Sequence, residues 1–252
     1  MPGAGLADKG RVQGLIRPFA AIGRWALPPR CPGCGVVVGE DHSFCAACWN
    51  GLRFLGPPWC AGCNAPFDYH RGEDARCAPC LASPPRHAGV RAAVAYDEVS
   101  RRLALKLKYG RRIGLAETMA RRMTRLLPVE TDLIVPVPLH RWRLWSRGFN
   151  QSVAIGAAVA RASGRPVDRA ALVRTRATPS LKGRGHDARA RAVRGAFAVP
   201  DRARVAGRRI ALVDDVYTSG ATADAATRAL LRAGAEAVTI LCWARVLSGP
   251  DD

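Results

Sequence analysis

Beyond about residue 88, short unbroken apolar runs alternate with longer stretches in which apolar residues return every three or four positions. The short runs predict strands near Val90–Tyr96, Leu133–Val137, Ala170–Arg174, Ile210–Val213 and Ala237–Trp243, because such runs suit strands buried on both faces. The amphipathic stretches predict helices near Val99–Tyr109, Leu115–Leu126, Gln151–Ala162 and Ala221–Ala233, the last stopped by Gly234. Strands alternating with helices place residues 88–248 in the α/β class, with a mostly parallel sheet.

Residues 29–87 read differently. They hold few large apolar side chains (Phe44, Trp49, Leu52, Phe54, Leu55, Trp59, Phe67, Tyr69), too few to hold some fifty residues without staples. The staples are cysteines. Eight of the nine in the chain form four pairs of identical spacing: Cys31/Cys34, Cys45/Cys48, Cys60/Cys63 and Cys77/Cys80. Each pair can wrap two sulfurs onto one metal through a tight turn, with Gly33, Gly35 and Gly62 where the backbone bends, so the segment predicts two structural zinc sites, each held by four cysteines. A disulfide framework is the rival, and the absence of a secretory signal argues against it. His42 and His70 are expected at the surface, and Cys242 as a buried strand residue. Ahead of the cysteines, the run from Gly14 to Leu27, interrupted by Arg17 and Arg24, predicts a short amphipathic helix within residues 1–28.

Composition refines the picture. At 252 residues the chain is expected to form one or two domains, and 48% hydrophobic residues exclude a disordered or collagen-like polymer. No stretch is apolar enough to span a bilayer, and the expected location is cytoplasmic. The formal charge of +19 falls to +15 if eight thiolates and two Zn²⁺ are counted, which suggests an anionic partner. Only four of the 39 basic residues are lysines, so the charge is carried almost entirely by arginine.

The richest chemistry lies at Val213-Asp214-Asp215-Val216-Tyr217-Thr218-Ser219-Gly220-Ala221-Thr222, an apolar strand ending in two carboxylates, then a hydroxyl-rich turn and a helix. Free N–H groups and the hydroxyls of Thr218, Ser219 and Thr222 suit a phosphate monoester, and Gly220 allows close backbone approach. Asp214 and Asp215 would repel that anion unless they face something hydroxylated or cationic, a demand that a ribose ring meets. Adjacent strand residues point to opposite faces, so both reach one ribose only if the chain is already turning.

This segment resembles the phosphoribosyl pyrophosphate (PRPP) loop of type I phosphoribosyltransferases. Together with the doubled cysteine module and the segment Ile134-Val135-Pro136-Val137-Pro138 to Arg147-Gly148-Phe149-Asn150-Gln151, the chain from Pro29 to Arg245 resembles the ComF family, a double zinc ribbon fused to a phosphoribosyltransferase-like domain. The resemblance implies a PRPP and Mg²⁺ site. Asp214 and Asp215 would act at the ribose, Thr218, Ser219, Gly220, Ala221 and Thr222 at its phosphate, and Val137 and Pro138 in the pyrophosphate loop. It further implies a role in DNA uptake, with single-stranded DNA and uptake proteins as partners.

Read from the residues themselves, Pro136 and Pro138 fix a rigid turn, Asn150 caps a helix, and Arg141, Arg143 and Arg147 supply charge for a diphosphate. Lys106 and Lys108 face either pyrophosphate or solvent. Residues 174–197, with seven Lys/Arg and one acid, predict a mobile loop, and the resemblance implies a lid over PRPP. Three readings stay open: a PRPP-binding phosphoribosyltransferase-family protein with a role in DNA uptake and an unnamed acceptor, a non-catalytic zinc-ribbon module associated with single-stranded DNA, and a nucleobase-salvage phosphoribosyltransferase.

Overall fold

A computed structural model of the protein describes residues 28–109, 112–178 and 186–247. The helix expected within residues 14–27 and the centre of the basic segment, residues 179–185, lie outside them. The described strands are β1 (Gly89–Ala95), β2 (Leu133–Pro136), β3 (Val173–Arg174), β4 (Phe197–Ala198), β5 (Arg209–Tyr217) and β6 (Ala237–Arg245). The helices are α1 (Ala46–Asn50), α2 (Ala78–Ala82), α3 (Glu98–Tyr109), α4 (Leu115–Met123), α5 (Arg141–Arg147), α6 (Gln151–Ser163), α7 (His186–Val193) and α8 (Ala221–Arg232).

Four strands form one parallel sheet in the order β1-β6-β5-β2. Both faces are covered, which is why the strands read as unbroken apolar runs. Along β5, Ile210 and Leu212 pack with Leu230 of α8 and Ile240 of β6 on one side, while Ala211 and Val213 pack with Leu103, Met119, Ile155 and Trp243 on the other. Trp243 is fully buried, and its indole N–H meets the carbonyl of Ser100 at 3.4 Å.

The expected strand Ala170–Arg174 is shorter and lies elsewhere: β3 pairs antiparallel with β4 in a separate two-stranded sheet. The Asp168 carboxylate accepts the N–H groups of Ala170 and Ala171 at 2.8 and 3.0 Å, which bends the chain into a turn where the apolar pattern suggested a strand. Two helices stand where loops were expected. In α5 no residue is buried, so it has no apolar stripe to betray it. The alanine-rich α7 occupies part of the basic segment read as a loop.

The ribbons are built onto the sheet rather than tethered beside it. Strand β1 is an edge whose outer N–H and C=O groups would otherwise template association. The ribbon segment covers them: Ala95 N–H bonds the carbonyl of Arg53 at 2.8 Å, Leu55 N–H that of Ala93 at 3.0 Å, and Val90 N–H that of Gly62 at 3.0 Å. Cys31, Cys48 and Leu52 join the same buried cluster as Val99 and Leu103. Lys106 donates to the carbonyls of Pro32 and Gly33 at 3.2 and 2.6 Å, so this lysine serves the first cysteine knuckle and faces neither a diphosphate nor bulk solvent. His42 is half-buried, with Nδ1 3.2 Å from Thr118 Oγ1 of α4, whereas His70 is exposed as expected. Half-burial corrects the surface position expected for His42, and its ring joins the first ribbon to the helical layer.

Asn64 is the sharpest of these contacts. It is fully buried, adopts φ of 63°, and its Oδ1 accepts the Ala92 N–H at 2.7 Å. Asn64→Ala leaves a buried donor unpaired and puts alanine in a left-handed conformation, and we expect it to cost about 2 to 3 kcal/mol. Urea unfolding would check this; a midpoint unchanged from wild type would contradict it.

Candidate functional site

Each cysteine quartet converges. The sulfurs of Cys31, Cys34, Cys45 and Cys48 lie within 4.8 Å of one another, as do those of Cys60, Cys63, Cys77 and Cys80. Tetrahedral zinc–thiolate bonds of about 2.3 Å require sulfur separations near 3.8 Å, so both quartets fit one Zn²⁺ each. Backbone N–H groups point at the sulfurs: Cys45 N–H at Cys31 Sγ (3.4 Å) and Cys77 N–H at Cys60 Sγ (3.3 Å). Such donors stabilise thiolate charge. Gly33 passes so close that a Cβ there would stand 2.6 Å from Cys48 Sγ. Four sulfurs close the coordination shell and leave no position for substrate.

At the carboxyl end of the sheet, β5 delivers Asp214 and Asp215. Strand alternation sends Asp215 toward α3, where its Oδ2 lies 2.7 Å from Lys108 Nζ. Asp214 takes different partners: its Oδ1 accepts the Asp215 N–H at 2.8 Å and the Ser152 hydroxyl at 3.0 Å, from the first turn of α6. Burial and the neighbouring Asp215 carboxylate push Asp214 up to about 7. Burial disfavours the Lys108 ammonium, but Asp215, and then Asp214, outweigh it and hold that group above the ordinary lysine value.

The turn that follows positions α8. Gly220 has φ of 77° and stands at the N-cap of α8. A Cβ there would lie 2.5 Å from Tyr217 Oη, so the glycine serves both the left-handed turn and the packing of the tyrosine. We expect Gly220→Ala to destabilise the protein by about 2 to 3 kcal/mol through strain and displacement of Tyr217. Thermal unfolding would detect this, and a variant as stable as wild type would contradict it. Thr218 is exposed, Ser219 and Thr222 are half-buried, and Ala221 is buried.

Across the site, Val137 and Pro138 follow β2. The Val137 N–H donates to the Val213 carbonyl at 2.9 Å, and the Val137 carbonyl accepts from Asn150 Nδ2 at 3.0 Å, so this turn is locked to β5. Asn150 also caps α6, as the sequence predicts, accepting the Ser152 N–H at 2.9 Å. The arginines of α5 diverge. Arg141 is exposed over the Trp142 ring, whereas Arg147 lies over Tyr109. Burial and then Arg147 depress Arg143, whose Nη2 donates to the Thr178 carbonyl at 2.9 Å. Burial and then Arg143 depress Arg174. Cations thus accumulate beside the carboxylates, at a mutual repulsion that an incoming anion would relieve. Arg174 enters from the first position of the basic segment 174–197, whereas Ser152 is a site residue that the sequence reading misses. The only sequence signal for Ser152 is its place two residues after the helix cap.

These features define a class: a double zinc ribbon sharing a core with a parallel-sheet α/β domain, whose central strand ends in a carboxylate pair and a glycine turn. Comparison with known proteins narrows it. Residues 22–81 match the double zinc ribbon domain. The DNA utilization protein YhgH of Escherichia coli K12 is 32% identical over 233 residues, covering 88% of this chain and 99% of that protein. Competence protein F of Haemophilus influenzae is 26% identical over 227 residues, covering 86% and 96%. Among solved structures, the glutamine PRPP amidotransferase from B. subtilis complexed with ADP and GMP aligns with a TM-score of 0.39 at 22% identity, covering 54% of this chain and 30% of that one. The chain belongs to the family of YhgH and competence protein F. Among the described residues no helix is long and apolar enough to cross a membrane.

Proposed function

We propose that the α/β domain, residues 88–248, binds PRPP with Mg²⁺ between the β5–α8 turn and the β2–α5 turn. We also propose that the protein serves cytoplasmic DNA utilisation or uptake, as the names of its relatives indicate for them, with the ribbons of residues 29–87 as its structural partner domain. The observation that carries the ligand reading is the juxtaposition of Asp214 and Asp215 with the Gly220 turn at the N-terminus of α8. The N–H groups and hydroxyls of 218–222 hold the 5-phosphate, the carboxylates meet the ribose hydroxyls, and Lys108 and Arg147 lie on the side of the diphosphate. Mg²⁺ would neutralise part of the diphosphate charge. Carboxylates at the ribose would also favour positive charge developing at the anomeric carbon, the electrostatic requirement of a phosphoribosyl transfer.

Calorimetric titration of the zinc-loaded protein with PRPP and Mg²⁺, beside an Asp214→Asn/Asp215→Asn variant, tests this. Binding by the wild type and its loss in the variant is the expected result. Absence of binding by both would overturn the ligand reading and favour the second one, a non-catalytic module for single-stranded DNA. That reading has its own support: Trp142 and Trp145 are 62% and 83% exposed on a helix carrying three arginines, the residue types on which bases stack.

A further inference from the structure

Ser152 stands in the first turn of α6 and is only 1% exposed. A serine at such a position ordinarily bonds a backbone group of its own helix. Here Asn150 already caps α6 by accepting the Ser152 N–H at 2.9 Å, and the Ser152 hydroxyl reaches a carboxylate 62 positions away, donating to Asp214 Oδ1 at 3.0 Å. The second donor to that oxygen is the Asp215 N–H at 2.8 Å. Both donors fall on Oδ1, and among the described residues Oδ2 receives none. Two donors on one oxygen fix the rotation of a carboxylate and leave its other oxygen to accept from a ligand's hydroxyl groups. One donor alone leaves that rotation free.

Ser152 is itself held from the opposite half of the site. The second arm of Asn150, Nδ2, donates to the Val137 carbonyl at 3.0 Å, and the Val137 N–H donates to the carbonyl of Val213, the residue before Asp214, at 2.9 Å. The bonds close a ring from Val137 through Asn150, Ser152 and Asp214 and back along β5 to Val137. Helix α6 also lies close against β2, since a Cβ on Gly156 would stand 3.0 Å from Pro136 Cγ. From this we infer that Ser152 is a positioning residue that sets the rotation of the Asp214 carboxylate, and that Asn150 couples that setting to the Val137–Pro138 turn. The inference rests on the PRPP reading for its ligand. The ring aligns the ribose and diphosphate halves of the site before the ligand arrives, so less ordering is left to binding.

The titratable groups facing Asp214 are Asp215 on its own strand, Lys108 of α3, Arg174 of β3 and the buried Cys242 thiol of β6. All of them remain in Ser152→Ala, so a changed titration of Asp214 in that variant reports the lost hydroxyl.

The first measurement needs no ligand. Asp214 holds its proton more tightly in the folded state, so stability falls with rising pH until the carboxyl is ionised, and a donor such as Ser152 favours the ionised form. Ser152→Ala is expected to move the pH at which the melting temperature levels off upward by about one unit, and Ser152→Thr to return it. Asn150→Ser keeps a capping hydroxyl but loses the arm to Val137, and it should give a smaller shift in the same direction. A melting temperature lowered equally at every pH in Ser152→Ala would show a merely structural role and overturn the positioning. No shift in Asn150→Ser would overturn the coupling.

The second measurement is calorimetric titration of the zinc-loaded protein with PRPP and Mg²⁺. Expected are a tenfold or greater weakening in Ser152→Ala, larger at pH 6 than at pH 8, recovery in Ser152→Thr, and a severalfold weakening in Asn150→Ser. Wild-type affinity in Ser152→Ala would overturn the inference. Absence of binding by the wild type would instead overturn the PRPP reading, and the melting curves would then decide the roles of Ser152 and Asn150 by themselves.

Discussion

Cys60→Ser is expected to lower the zinc content from two ions per chain to one and to destabilise the whole α/β domain as well as the second ribbon. Cys60 is fully buried, and its sulfur receives the N–H groups of Cys63 and Cys77 at 3.5 and 3.3 Å. Structural zinc contributes on the order of 10 kcal/mol or more of apparent binding free energy to small domains that carry it, more than their apolar core alone provides. The same ribbon supplies Gly62 and Asn64, which satisfy Val90 and Ala92 on the outer side of β1. Releasing them exposes an unpaired sheet edge, so the variant should associate as well as melt early. Elemental analysis and analytical ultracentrifugation check both parts. Two zinc ions retained in Cys60→Ser would break the assignment of the quartets, and an unchanged melting temperature of the α/β domain would show that the ribbon does not support the sheet.

Lys108→Met is expected to cost about 3 to 5 kcal/mol, because it strands the Asp215 carboxylate, only 4% exposed, without its cation. The double variant Lys108→Met/Asp215→Asn should recover most of that loss, which distinguishes an unpaired charge from a packing defect. The Asp214 carboxyl adds a pH signature. Its folded value is raised to about 7 by burial and by Asp215, above the unfolded value of about 3.8. The folded state therefore holds the proton more tightly, and stability falls as pH rises from about 4 to about 7, then levels off. Asp214→Asn, whose amide oxygen can still accept from Ser152 and from the Asp215 N–H, should remove that slope and raise the melting temperature at pH 8 by roughly 5 °C. Melting curves from pH 4 to pH 8 measure it. A slope of the same size in Asp214→Asn would assign the titration to another group.

Much of the molecule is legible in the chain itself, for definable reasons. Cysteine spacing is a local property, so four identical pairs announce two metal sites before any fold is known, and both quartets converge accordingly. Parallel strands buried on both faces leave long apolar runs, so β1, β2, β5 and β6 are visible to a one-dimensional reading. Asn150 at its helix and Gly220 before α8 are legible because caps and left-handed turns restrict residue type. The strand expected at Ala170–Arg174 fails because a side chain, Asp168, captures the backbone that a sheet would have used. Helix α5 escapes notice because a helix with no buried residue has no apolar period.

What the sequence determined alone was everything that depends on neighbours a few positions apart: metal knuckles, strand and helix periods, caps, and the carboxylate pair before a glycine turn. The tertiary structure decided the partners that come from distant segments. It assigned Lys106 to the knuckle carbonyls and Lys108 to Asp215, although the two lysines are two residues apart and indistinguishable by composition. It also set Ser152 against Asp214, laid the second ribbon along β1, and enclosed Arg245 in a cavity with the ribbon. A charged side chain's role follows from what the fold places within a few ångströms of it and how much water is excluded there, and neither quantity is written in local sequence.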